Sequence, residues 1–434
     1  MSLNKTWFVA AAANLMLLSP SIATAADTDP TVVIEWNQTL QATIGGTGGP
    51  AATRWYAAMH IAQFDAMNSI ARQYTPFHTR VGASSGASLE AAAAQAAHDV
   101  IYELMKNQPT AATALPAYDA LLAAQLARIS QPGLRAQGVA VGKAVAAKIL
   151  EWRLNDGATG AARPYSLPAI AGLWQTTGAP VGLTHVPYML PFTLETNTQF
   201  LPHRFPEINT AAYAEDYNEV RLIGSKNSAT RSAEQTQTAK LFAAVEITTT
   251  NIFVLWNNVV RDVVLSQHLT LLQAARQYAM TNALLLDGLM TSQSGKFIYA
   301  LWRPVTAINS QLDDLNPDTA PEPNWEPLIG TPPYPSYPGN MACVGAVAAR
   351  SLEQGLGLDP DKTHDYTYHF SVTWKGATGF PDVTRHYTSF WALALQEADS
   401  RIYAGIHFRF DNDVSQEYCP KVADHAFATV AIPR

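Results

Sequence analysis

The sequence predicts an all-α protein built from two packed helical bundles. Apolar residues recur at three- and four-residue steps through most of the chain, and no stretch alternates at period two long enough for a substantial sheet. Two proline-rich stretches, 158–210 and 315–338, interrupt the helical pattern, and the first is long enough to cross from one bundle to the other.

The elements follow in order. Lys5, the apolar run Trp7 to Leu18 and the small-residue pattern Ala23-Thr24-Ala25 describe a secretory signal peptide, so the mature chain is expected to start near Ala26. It is expected to be exported, to a periplasm or to the medium, with no membrane span, because no later stretch reaches the roughly 18 consecutive apolar residues a span needs. Trp55, Met59, Ala62, Ala66 and Ile70 share one helix face. Alanine-rich helices are expected at about 88–105, 115–129 and 134–153, the last stopped by Asn155-Asp156-Gly157. Helical pattern resumes near 211–224, runs from 229 to about 293, and returns at Met341–Leu352 and about 386–404. These spans suggest an N-terminal bundle with its crossing loop over 26–210 and a C-terminal bundle over 211–434.

The net charge of −7, with no basic run, argues against nucleic acid as a partner. Two cysteines, Cys343 and Cys419, exclude a disulfide scaffold or a multi-cysteine zinc site. One bridge between them and two buried thiols are both compatible with the sequence.

Lys296 and Arg303 stand in Lys296-Phe297-Ile298-Tyr299-Ala300-Leu301-Trp302-Arg303-Pro304, and Arg401 and His407 in Ser400-Arg401-Ile402-Tyr403-Ala404-Gly405-Ile406-His407. A lysine and two arginines can neutralise a multiply charged tetrahedral oxyanion, and a nearby histidine can bond its central atom. Lys296 and Arg303 are seven residues apart, almost two helical turns, so one helix would aim both the same way, with Pro304 placing Arg303 at the helix end. Arg401 and His407 are six apart, on divergent faces of a straight helix; Gly405 can end that helix in a left-handed turn and bring the histidine back.

These segments resemble the vanadium-dependent haloperoxidase and type 2 phosphatidic-acid-phosphatase superfamily, in particular its soluble bacterial haloperoxidase-like branch. The family pattern runs Lys-x6-Arg-Pro, Pro-Ser-Gly-His, Ser-Arg-x5-His; the first and third blocks are intact here, and Trp55 to Ile70 looks like the family's first helix. The resemblance implies the family's two-bundle fold. It also implies vanadate as cofactor with His407 as its ligand, phosphate as a competing oxyanion, and small-molecule substrates: halide and hydrogen peroxide, or a phosphoester attacked by His407. Oligomeric state and halide choice stay open.

The middle block departs from the pattern. Aligned through Tyr337-Pro338, the family's Ser, Gly and His fall on Gly339, Asn340 and Met341. Gly339 lacks a hydroxyl donor, and the Asn340 amide is a candidate replacement donor. Met341 has no exchangeable proton, so acid–base help worth about 10²–10⁴ in rate is missing. Catalysis is expected to be impaired with oxyanion binding retained, and restoring Ser, Gly and His together is expected to recover rate. A phosphoester hydrolase and a non-catalytic oxyanion-binding relative are the alternative readings. His386 is expected to open the helix carrying Arg401, and His364 and His369 to lie on the surface. Asp411 and Asp413 resemble the start of a calcium loop but lack its glycine and terminal glutamate.

Overall fold

The computed structural model describes residues 29–44, 49–247, 251–359, 361–376 and 380–434; the expected signal peptide lies outside them. The described residues are mostly helical, as expected. In order they form α1 (Thr31–Thr43), α2 (Gly49–Ala71), α3 (Leu89–Met105), α4 (Ala111–Ala127) and α5 (Pro132–Arg153). After the crossing segment come α6 (Ala211–Ile223), α7 (Ala233–Ile247), α8 (Ile252–Ser266), α9 (Leu271–Tyr299), α10 (Pro304–Asn309) and α11 (Asn340–Leu356). An antiparallel ribbon of β1 (Phe370–Trp374) and β2 (Val383–Tyr387), with Val372 opposite Arg385, precedes α12 (Phe390–Tyr403) and α13 (Arg409–Thr429).

Helix α9 is the axis of the molecule. Its 29 residues, about 44 Å at 1.5 Å per residue, are buried from Leu271 to Lys296 with few interruptions, and it packs on α2 on one side and α11 on the other. A capping box of Thr270 and Gln273 starts it. Around this axis α3 packs against α2, α4 and α5, while α11 packs against α12 and α13. The apolar core is contiguous from Val32 to Ala431. Among the described residues no helix is long and apolar enough to cross a membrane.

Buried carboxylates hold the long irregular segments in place. Asp287 on α9 accepts from the Phe192 and Thr193 amides and the Thr193 hydroxyl, and Asp65 on α2 accepts from the amides of Phe77, His78 and Thr79. Arg153 at the end of α5 donates to the Leu190 and Pro191 carbonyls. These bonds satisfy loop backbone that would otherwise be buried without partners.

Three local expectations need correction. His386 does not open a helix: it sits in β2 opposite Ser371, and Ser389 caps α12 by accepting from the Ala392 amide. The β-branched and aromatic residues of Val383-Thr384-Arg385-His386-Tyr387 favour pairing with Phe370–Trp374 over helix. His364 is not a surface residue but lies half-buried, stacked on Trp391 at 3.7 Å; His369 is exposed. The helices α1 and α13 are not among the expected elements; Pro420 inside α13 interrupts its pattern.

Candidate oxyanion site

The spacing of Lys296 and Arg303 does not work through one helix. Helix α9 ends at Tyr299, Ala300 adopts a left-handed conformation (φ 56°), and Arg303 (φ −85°, ψ 157°) is extended ahead of Pro304 at the start of α10. Residues 300–302 are pinned on both sides: the Trp174 amide donates to the Ala300 carbonyl, the Trp302 amide to the Gly172 carbonyl and the Ser336 amide to the Leu301 carbonyl. Arg303 therefore turns back into the interior. Its Nε donates to the Tyr334 carbonyl at 2.8 Å and its Nη1 to the Ile406 carbonyl at 2.8 Å. Lys296 donates to the Ser336 carbonyl.

Gly405 acts as the sequence suggested. Its φ is 80°, just past the end of α12, and a Cβ there would lie 2.4 Å from the Gly224 carbonyl oxygen. Both the left-handed turn and the close approach require glycine. The turn carries His407 back beside Arg401, whose charge reaches both Lys296 and His407. All four residues are buried, with Lys296 and Arg303 fully inaccessible.

His407 is held from two sides. Its Nε2 lies 3.0 Å from Arg303 Nη1 and its Nδ1 lies 2.8 Å from Asp411 Oδ2. Arginine only donates, so Nε2 must accept and the proton sits on Nδ1, donated to Asp411. Asp411 is the first-turn acid of α13, and its Oδ2 also accepts from the Ser336 hydroxyl and the Phe408 amide. Burial, then Arg303, Lys296 and Arg401, hold His407 well below its ordinary pKa, so the imidazole is neutral. Burial, then Arg303, pushes the Lys296 ammonium down, while burial pushes Asp411 up to about 6 against the pull of Lys296. Lys296, Arg303 and Arg401 together impose a positive potential on His407 in a dry interior, a condition that favours a bound anion. A neutral imidazole facing them with a lone pair suits the central atom of vanadate or phosphate, so the residues present fit such a group.

The middle block is placed at the start of α11, whose first-turn amides and dipole add to the positive field. Gly339 is not a simple serine deletion: a Cβ there would meet Asn412 Oδ1 at 2.4 Å and the Asp411 carbonyl oxygen at 3.1 Å. A serine restored here together with Gly and His would therefore require Asn412, itself anchored to the Ala398 carbonyl, to move. The expected donor role of Asn340 is also altered, since its Nδ2 donates to Gln293 Oε1 at 2.8 Å and its Oδ1 is the atom left over. Amide O and N are near-isosteric, so both amides can turn over together and keep their bond, which would put an N–H in place of Oδ1. Met341 is half-buried and lines a small cavity with Leu289, Phe253 and Tyr334. Among the described residues no histidine or carboxylate lines that cavity.

Sequence reasoning passed over Ser336, Tyr334 and Asp411. The ring of Tyr334 lies 5.6 Å from Lys296 Nζ and 5.1 Å from the Arg303 guanidinium. Asp411 had a readable signal, four residues after His407 on a helix start, but it was weighed only as part of a calcium loop; its neighbour Asp413 is exposed. Glu353, Asp359 and His364 place ligand-type atoms within 4.8 Å of one another. Arg350 already neutralises that group, 2.8 Å from Asp359 and 3.2 Å from Glu353. Cys343 and Cys419 are joined by a disulfide that ties α11 to α13, the two helices whose first turns carry Asn340 and Asp411.

Comparison with known proteins agrees with this architecture. Residues 276–432 match the family of VCPO second helical-bundle domains. A vanadium chloroperoxidase from Curvularia inaequalis is 24% identical over 172 residues, 32% of this chain, so the match spans 28% of that enzyme's length. A bacterial vanadium-dependent iodoperoxidase superposes with a TM-score of 0.75 at 20% identity, covering 93% of this chain and 98% of that one. The apo form of a bacterial vanadium-dependent chloroperoxidase gives a TM-score of 0.64 at 16% identity, covering 88% and 95%. The chain is thus similar in fold to bacterial vanadium-dependent haloperoxidases over 93% of its length, and its residues 276–432 match the VCPO second helical-bundle domain.

Proposed function

We propose that this protein is an exported oxyanion-binding enzyme of the haloperoxidase type, holding vanadate or phosphate at Lys296, Arg303, Arg401 and His407. The observation that carries the proposal is the buried His407 Nε2, 3.0 Å from Arg303 and backed by Asp411 at 2.8 Å. Lys296, Arg303 and Arg401 neutralise the anion, with arginine forks suited to paired oxygens. Asp411 keeps the His407 proton on Nδ1, so Nε2 keeps its lone pair, which faces the bound group once Arg303 Nη1 turns from Nε2 to the anion. Vanadate, when bound, supplies the Lewis-acidic centre at which hydrogen peroxide is activated for halide oxidation. Met341 neither gives nor takes a proton, so turnover is slow relative to a site with a base there. Phosphate, also a tetrahedral anion, competes for the same cage.

The test is titration of purified mature protein with vanadate, coupled to a peroxide-dependent bromination assay. Saturable one-to-one vanadate binding, displaced by phosphate and lost in Lys296→Ala, with slow bromination, is the expected result. No vanadate or phosphate binding by folded protein would overturn the proposal.

A further inference from the structure

We infer that Met341 is a specificity-determining residue: it walls a subsite that takes one compact apolar group carried directly on the bound oxyanion. The inference rests on the oxyanion reading above and adds a chemical class to it. The cavity beside the cage has a volume of about 120 Å³. Its walls come from distant parts of the chain: Leu183 of the crossing segment, Ile252 and Phe253 of α8, Leu289 of α9, Tyr334, and Met341 of α11.

Two features connect this cavity to the cage. Tyr334 belongs to both: it lines the cavity, Lys296 and Arg303 lie over its ring, and its carbonyl holds the Arg303 Nε. Asn340 also lines the cavity, beside Met341 at the start of the same helix. The cavity therefore begins where the positive charge ends. Among the described residues its lining contains no acid, base or histidine, and the Asn251 side chain already accepts from the Val254 amide as the cap of α8. A glycerol, sugar or ammonium headgroup would find few partners there beyond the Asn340 amide for the several hydrogen bonds it gives up in water.

Size sets the rest. An apolar protein cavity of about 150 Å³ accepts a benzene molecule, so this one suits a single ring or a short branched alkyl group. A thioether is apolar and adaptable, which makes methionine a suitable wall where histidine would bring a polar ring. The favoured ligand class is thus an aryl- or alkyl-substituted phosphate or phosphonate. The bare oxyanion leaves the cavity unfilled.

The experiment compares calorimetric affinities of folded protein for phenylphosphonate, aminomethylphosphonate, 1-naphthylphosphonate and inorganic phosphate at mildly alkaline pH, where the anions are doubly charged. Phenylphosphonate is expected to bind on the order of 10- to 100-fold tighter than phosphate, the worth of burying one small apolar group. Aminomethylphosphonate and the larger naphthyl probe gain nothing. In Met341→Gln, similar in length but polar, the phenylphosphonate-to-phosphate ratio falls toward one. Phosphate binding without a phenyl preference, or a preference unchanged in Met341→Gln, overturns the subsite and leaves the oxyanion reading standing. Failure of every probe to bind overturns both.

Discussion

Asp411 and His407 are one helical turn apart at the start of α13, and the Asp411 carboxylate accepts the imidazole Nδ1 proton at 2.8 Å. That bond decides which nitrogen faces the three basic side chains. Asp411→Asn keeps the shape but removes the obligate acceptor, so it is expected to weaken vanadate binding by about 10–100-fold, the usual effect of losing a ligand's supporting carboxylate. Vanadate titration checks this, with circular dichroism to show that the fold is retained. Unchanged affinity would mean that Arg303 alone sets the tautomer.

Oxyanion binding is expected to take up protons. Burial and the neighbouring arginines hold Lys296 well below its ordinary pKa in the free site. A bound anion favours the ammonium and raises that pKa, so binding draws a proton in and affinity falls as pH rises. Calorimetry of phosphate binding in two buffers of different ionisation enthalpy measures the uptake. Identical apparent enthalpies in both buffers would exclude it.

Met341→His, with Gly339 left as glycine, is expected to raise vanadate-dependent bromination by about two to four orders of magnitude. Adding Gly339→Ser should lose part of that gain and lower thermal stability, because the new Cβ meets Asn412 Oδ1 at 2.4 Å. Bromination rates and melting temperatures of the single and double variants separate the two effects. A serine variant as stable and active as the single would show that Asn412 yields freely.

His60 is buried among Asn37, Gln63 and Tyr278, with Nε2 2.9 Å from Asn37 Nδ2 and its pKa lowered by burial to about 3. The Asn37 amide donates to it, so the fold needs the neutral ring. A depressed pKa means stability present above the unfolded value, about 6.5, and lost as pH falls toward the folded one. His60→Gln should flatten the acid decline of unfolding free energy by up to about 1.4 kcal/mol per pH unit within that window. Urea titrations across the range test the slope; parallel curves for the two proteins would count against it.

The disulfide between Cys343 and Cys419, 76 residues apart, should stabilise the fold by about 2–5 kcal/mol through the chain freedom it removes from the unfolded state. The double alanine variant is expected to melt lower and to bind vanadate more weakly, since α11 and α13 both open onto the cage. Thermal melts with and without vanadate report both effects. Equal melting temperatures for the two proteins would contradict the first.

Much of the architecture was written in local pattern. Helical steps such as Trp55, Met59, Ala62, Ala66 and Ile70 mark buried faces whatever they pack against, and Gly405 announced its turn because only glycine adopts φ 80° there at little cost. The order and spacing of Lys296, Arg303, Arg401 and His407 likewise singled out the residues proposed to hold the oxyanion. Tertiary structure decided what depends on partners far away in sequence. The capture of Arg303 comes from the Tyr334 and Ile406 carbonyls, not from helical periodicity. The pairing of Cys343 with Cys419 depends on how α11 meets α13, and β2 exists because β1 lies beside it. The Ser336 hydroxyl that also donates to the Asp411 carboxylate comes from 75 residues earlier in the chain. The physical reason is the same in each case: a residue's own chemistry constrains its neighbours within about a helical turn, whereas burial, charge balance and steric room, such as the space denied to a side chain at Gly339, are set by chain brought in from elsewhere.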